Sequence, residues 1–173
     1  MKSFTASKEN KIVNTLRMEI AALSQNESFA RSTVAAFASQ LNPTLDEIND
    51  IKTAVSEAVT NCVVHAYCRD KQPKSGLFDK HDKLSVKKIV IECDLYNDGI
   101  TIAVTDFGVG INNIDKAMQP FFTTKPDEER SGMGFTVMQS FMDTLRVVNN
   151  VGGGTTITMQ KFFTKDKRAV GDA

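Results

Sequence analysis

Tryptophan is absent from this 173-residue chain, and histidine and tyrosine occur only twice each. The three cysteines, Cys62, Cys68 and Cys93, are odd in number and lack the paired close spacing of a zinc site or a thioredoxin-like motif. Cys62 and Cys68 are six apart, so a helix through both does not present them as a clamp, and reduced thiols are expected. Neither sign of charge is in excess, with 21 Lys plus Arg against 21 Asp plus Glu. No global basic field therefore draws the chain to nucleic acid or to anionic lipid, and a phosphate ligand has to be held locally. Long apolar runs are missing too: nothing approaches the ~20 residues of a membrane span. The opening Met1-Lys2-Ser3-Phe4-Thr5-Ala6-Ser7 carries no apolar stretch of signal-peptide type, so a cytoplasmic location is expected, with no membrane or direct nucleic-acid partner.

What is present suits a globular fold. With 41% hydrophobic and 24% charged residues, the chain has the composition of one soluble domain spanning 1–173. Leu16, Met18 and Ile20 alternate with Arg17 and Glu19, as on an edge or interface strand with one buried face. Ser24 and Glu27 have capping-box spacing ahead of a helix whose apolar stripe is Ala30, Val34, Phe37, Ala38 and Leu41, ending near Asn42-Pro43. Thr44 and Glu47 repeat the capping pattern before a longer helix that carries Ile48, Ile51, Val55, Ala58, Val59 and Cys62 and runs to about His65. The polar stretch 69–83 is expected to be a solvated insertion. Alternation resumes at Ile89, Ile91, Cys93 and Leu95, then at Ile100, Ile102 and Val104 beyond Asn97-Asp98-Gly99, predicting a β-hairpin. After a helical pattern over Phe135, Val137, Met138, Phe141 and Met142, two strands, Leu145 to Val148 and Thr155 to Met159, flank a glycine-rich turn. Helices and antiparallel strands in blocks favour an α+β, two-layer α/β sandwich with a mixed, mostly antiparallel sheet over a parallel doubly wound fold.

Three segments carry chemistry. Glu57 and Asn61 lie four apart on the second helix, outside its apolar stripe, so both side chains address one point. A carboxylate accepts a proton and an amide oxygen ligates a hard magnesium ion, the pair that magnesium-dependent phosphoryl transfer calls for. Taken alone, the same pair also suits a solvated helix face. Asp106 ends a strand and is followed by Gly108 and Gly110, an acceptor for an adenine amino group beside backbone that a ligand can approach; an ordinary turn is the plainer alternative. A third glycine at Rossmann spacing is missing. Gly132-Met133-Gly134 opens the last helix, where bare amides make an anion site, and Lys125 and Arg130 just upstream supply cations for a polyphosphate, or are simply solvated.

In this order, the helix pair, the Asp-Gly-Gly turn and the Gly-Met-Gly helix start resemble the N, G1 and G2 boxes of the GHKL (Bergerat-fold) ATPases. Ser24 to Arg31, Ser56 to Asn61, Phe122 to Pro126 and Glu129 to Phe135 are similar to the sporulation branch of the anti-sigma kinases in that family, a resemblance over roughly residues 12 to 163. It implies ATP and magnesium as cofactors, Glu57 as general base, Asn61 as magnesium ligand and Asp106 as adenine contact. By the same resemblance Gly108, Gly110, Gly132 and Gly134 line the nucleotide, and Thr156 places a hydroxyl near the adenine. The implied partners are a sporulation sigma factor F, an anti-anti-sigma factor whose serine is phosphorylated, and a second copy of the chain in a homodimer. Arg31, outside the apolar stripe, is expected to be exposed and free to meet a partner. A stress-response anti-sigma kinase, or a sequestering module that holds ATP without catalysis, are the alternatives. A sensor histidine kinase needs a separate helical domain bearing the phosphoacceptor, and the chain offers only His65 and His81.

Overall fold

The computed structural model describes residues 11–67, 87–120 and 132–164. The insertion expected at 69–83, Cys68, His81, Lys125, Arg130 and the Phe122 to Pro126 segment lie outside them. Five strands form one sheet in the order β1-β2-β3-β5-β4: β1 (Asn14–Ala21), β2 (Lys88–Tyr96), β3 (Gly99–Asp106), β4 (Thr144–Asn149) and β5 (Thr155–Phe162). All four pairings are antiparallel, so the mixed sheet expected from sequence is purely antiparallel among the described residues. The helices are α1 (Asn26–Ala38), α2 (Leu45–Asn61), a one-turn α3 (Ile114–Ala117) and α4 (Gly134–Phe141). A 3-10 turn, Ser39–Leu41, ends α1 with Asn42 in the left-handed region, and a π-helical turn, Cys62–Ala66, extends α2.

The register explains the core. Opposed residues of an antiparallel pair share a face, so Leu16, Cys93, Ile102, Met159 and Leu145 make one row across the sheet. Met18, Ile91, Val104, Ile157 and Val147 make the next. These rows join Ala30, Val34, Ile51, Val55, Ala58, Val59 and Met138 of the helices in one buried cluster. Continuing the same face, the third row brings Ile20, Ile89 and then Asp106 into line. A carboxylate thus occupies a core-facing register position at the strand's end.

The two capping-box expectations part company. Thr44 Oγ1 accepts from Glu47 N at 3.2 Å while Glu47 Oε2 accepts from Thr44 N at 2.7 Å, so the second box is complete. The first does not form: α1 has Gln25 at its N-cap with no side-chain cap bond. Glu27 is drawn sideways instead, accepting from Ser56 Oγ on α2 and from Arg31 Nη1 at 3.2 Å. A tertiary partner outcompetes the local backbone donor.

Candidate nucleotide-binding site

Helix α2 carries Glu57 and Asn61 to the start of α4, to which it is extensively packed. A β-carbon placed on Gly134 would lie 3.1 Å from Glu57 Oε2 and 3.3 Å from both amide atoms of Asn61. Glycine at this position therefore lets the two α2 side chains reach the backbone of the first turn of α4. The leading amides of an α-helix have no intrahelical acceptor, so such an end can take an anion. Gly132, with φ of 65°, turns the chain into it. The N-box and G2 segments of the sequence, more than seventy residues apart in numbering, thus meet in space.

Asp106 lies at the other end of the arrangement and is 5% exposed. Burial raises its carboxyl above the ordinary range, opposed by hydrogen bonds from the backbone of Gly108 and Thr155. Gly108 N donates to Asp106 Oδ1 at 2.8 Å. The turn after Asp106 is held from two further sides: Phe107 N donates to Tyr67 Oη at 3.1 Å, and Val109 N to Ala66 O at 2.8 Å. Ile111 N donates to Asn149 Oδ1 at 2.8 Å, and Asn149 Nδ2 returns a bond of the same length to Ile111 O.

These bonds change the part expected of Gly108. A β-carbon there would run into Ala66 O, so its bareness serves the approach of the turn to the π-helical turn of α2. The amides of residues 107, 108, 109 and 111 are all committed to protein acceptors, which holds the G1 turn against Tyr67, Ala66 and Asn149. Gly110, with φ of 71°, faces Asn149.

Two further expectations need correcting. Thr156 pairs with Thr105, on the sheet face opposite Asp106, where its hydroxyl donates to Asn150 Oδ1 at 2.9 Å and meets Thr105 Oγ1 at 2.9 Å. Thr155, 4% exposed, is the threonine on the Asp106 side, since it precedes Ile157 on the core face by two residues. Arg31 is not free: its guanidinium donates to Glu27 Oε1, to Ser28 Oγ at 3.4 Å and to Ser56 Oγ at 3.5 Å.

Tyr67 and Asn149 escaped the sequence reading. Neither sits in a glycine box, and both act across long separations; the only local signal was the position of Tyr67 directly after the Glu57 helix. Burial raises the Tyr67 phenol, the hydrogen bond from Phe107 opposes the shift and the Asp106 charge adds to it, so the hydroxyl keeps its proton and donates a hydrogen bond to Lys88 O. Burial also pushes up the Cys62 and Cys93 thiols, both of which are free, consistent with inert core residues.

The family described as histidine kinase-like ATPase domain matches residues 20–161. The chain belongs to that class, and its fold is that of an ATPase domain of this kind. Within it, the chain belongs to the anti-sigma F factor family. It is 51% identical over 154 residues to the anti-sigma F factor of Thermoanaerobacter sp. (strain X514), covering 89% of this chain and 97% of that one. Against the anti-sigma F factor of Clostridium beijerinckii the identity is 49% over 150 residues, with 87% and 95% covered. Among solved structures, the RsbU and RsbW domains of a Mycobacterium tuberculosis protein superpose with a TM-score of 0.56 at 18% identity, over 87% of this chain and 32% of that one, which speaks to the fold. No helix among the described residues is long and apolar enough to cross a membrane.

Proposed function

We propose that this chain sequesters a sporulation sigma factor F and, using ATP and magnesium, phosphorylates a serine of an anti-anti-sigma factor, working in the cytoplasm as a homodimer. The observation that carries the reading is the convergence of Glu57 and Asn61 on the bare backbone of Gly134. The residues present suit the nucleotide. Asp106 is a buried acceptor of the kind that an exocyclic amine needs, and a helix N-terminus such as that of α4, preceded by Gly132 and opened by Gly134, suits phosphate oxygens. Among the described residues no group of three or more His, Cys, Asp or Glu side chains forms a metal cage, so Asn61 would hold magnesium together with nucleotide oxygens, the usual habit of that ion.

Magnesium ATP supplies the phosphoryl group and the neutralising charge at the reacting phosphate. The chain supplies position. Glu57 accepts the proton of the incoming serine hydroxyl as the new oxygen–phosphorus bond forms and the bond to the leaving diphosphate breaks; Asn61 and the α4 amides hold the phosphates in line. Anti-sigma F factors are the relatives at about half identity, which supports the sporulation partner over the stress-response alternative.

The test mixes the purified chain with radiolabelled ATP, magnesium and a purified anti-anti-sigma factor, beside Glu57→Gln. Label on the partner's serine is expected with the wild type, and none with the variant, whose calorimetric ATP affinity stays within about twofold. An unlabelled partner with the wild type overturns the kinase reading. Full transfer by Glu57→Gln removes Glu57 as the base.

A further inference from the structure

Between the helix that carries Glu57 and the turn that comes after Asp106 there is a built junction. The π-helical turn Cys62–Ala66 re-aims the end of α2 toward the sheet, and its last carbonyl, Ala66 O, takes the amide of Val109. The next residue, Tyr67, takes the amide of Phe107 on its hydroxyl oxygen and sends the hydroxyl proton to Lys88 O at the start of β2. One side chain therefore joins three segments: the end of α2, the first residue of β2 and the first residue past Asp106. Extra residues wound into a helix as a π turn are frequent at functional sites, because they redirect the chain beyond them.

We propose that the Tyr67 hydroxyl is a positioning residue for nucleotide binding, fixing the Asp106–Val109 turn against α2 so that the Asp106 carboxylate and the Glu57/Asn61 face keep one spacing. This role rests on the nucleotide-binding function proposed above. The distribution of acceptors singles out the hydroxyl. Among the described contacts Phe107 N donates to Tyr67 Oη alone, whereas Gly108 N and Val109 N donate to Asp106 and Ala66. Without the hydroxyl, the first peptide of the turn rotates about the Asp106 side chain that faces the base. The ring stays in place, since only one oxygen is removed in Tyr67→Phe. Because Tyr67 acts on the Asp106 end, its loss is felt equally by nucleotides that share an adenine, and it leaves the reacting phosphate alone.

The experiment measures ATP and ADP affinity by calorimetry with magnesium, for wild type and Tyr67→Phe, together with kcat and KM for phosphoryl transfer; circular dichroism establishes that both are folded at the temperature used. Both affinities are expected to weaken by a common factor of about three to ten, the worth of the bond from Phe107 N that holds the turn, with KM for ATP rising and kcat at saturation unchanged. Unchanged affinities overturn the positioning role and leave the nucleotide site standing. A fall in kcat at unchanged affinity also overturns it, since the hydroxyl would then act on the reaction. A wild-type chain that binds neither nucleotide overturns the functional reading and this role with it.

Discussion

Glu57 Oε2 lies 3.1 Å from the point that a β-carbon on Gly134 would occupy, so a carboxylate of α2 rests against the unprotected backbone that opens α4. A methyl group at Gly134 fits only if its neighbours yield by a few tenths of an ångström, and it fills the space between the helix amides and the two side chains. Because Gly134 is the first helical residue and its φ is not positive, alanine there brings no backbone strain and gains only a fraction of the ~1 kcal/mol that it gains in a helix interior. Gly134→Ala is therefore expected to change the unfolding free energy by less than about 1 kcal/mol while cutting phosphoryl transfer at least tenfold, on the order of 1.4 kcal/mol in the barrier. Denaturant melts beside kinase assays check it; wild-type turnover would show that the contact has no part in the site.

Asp106→Asn tests the other end. Both Gly108 N and the Thr155 backbone point donors at this carboxylate. An asparagine satisfies them only by turning its oxygen inward, and with adenine bound as proposed this sets an NH2 group against the adenine amine, donor against donor. Nucleotide affinity is expected to fall by about 1.5–3 kcal/mol, the range for a hydrogen bond to a charged group. Calorimetry giving wild-type affinity would remove Asp106 from base recognition.

How much of this was visible in the sequence depended on the reach of each interaction. The Thr44/Glu47 box and the Asn97-Asp98 hairpin were legible because donor and acceptor lie within four residues, and the core rows followed from period-two alternation. The Ser24/Glu27 box has the same local signal but loses to Ser56, 29 residues away. Thr155 and Thr156 cannot be ranked by propensity; the register with β3 decides which one faces Asp106. Tyr67 and Asn149 act over 40 and 38 residues, where no spacing rule operates.

Glu47 couples the start of α2 to the segment just past β5, where Thr164 N and Thr164 Oγ1 both donate to Glu47 Oε1. Burial raises the Glu47 carboxyl, but the bonds from Thr164 and Thr44 outweigh it and the net shift is downward. A folded-state pKa below the unfolded value, ordinarily about 4.3, gives stability that is present above that value and is lost as pH falls through the lowered one. Chemical melts between neutral and acid pH should show wild-type stability declining across that interval, and Glu47→Gln should start lower and decline less. Parallel curves for the two proteins would refute the linkage.

Arg31 is the test of the partner face. Its guanidinium is bound to Glu27, Ser28 and Ser56, so the side chain is held in one place, with donors to spare among its five N–H groups for an acidic partner. That arrangement alters what charge reversal does to folding. Arg31→Glu sets a carboxylate four residues from Glu27, and like charges at that spacing cost about 0.2–0.5 kcal/mol. The lost pair adds little, because the arginine side chain is 40% exposed and such pairs are worth at most about 1 kcal/mol. The expected loss of stability is therefore about 1.5 kcal/mol or less, small but not the zero that a free arginine would give. At an interface the same reversal turns attraction into repulsion, and capture of purified sigma factor F in the presence of ATP should weaken at least tenfold while ATP affinity stays within about twofold. Ser56 lies next to Glu57, so the ATP measurement is the discriminating one. If affinity for ATP falls as far as capture does, Arg31 acts through α2; if capture stays at the wild-type level, Arg31 does not meet the sigma factor.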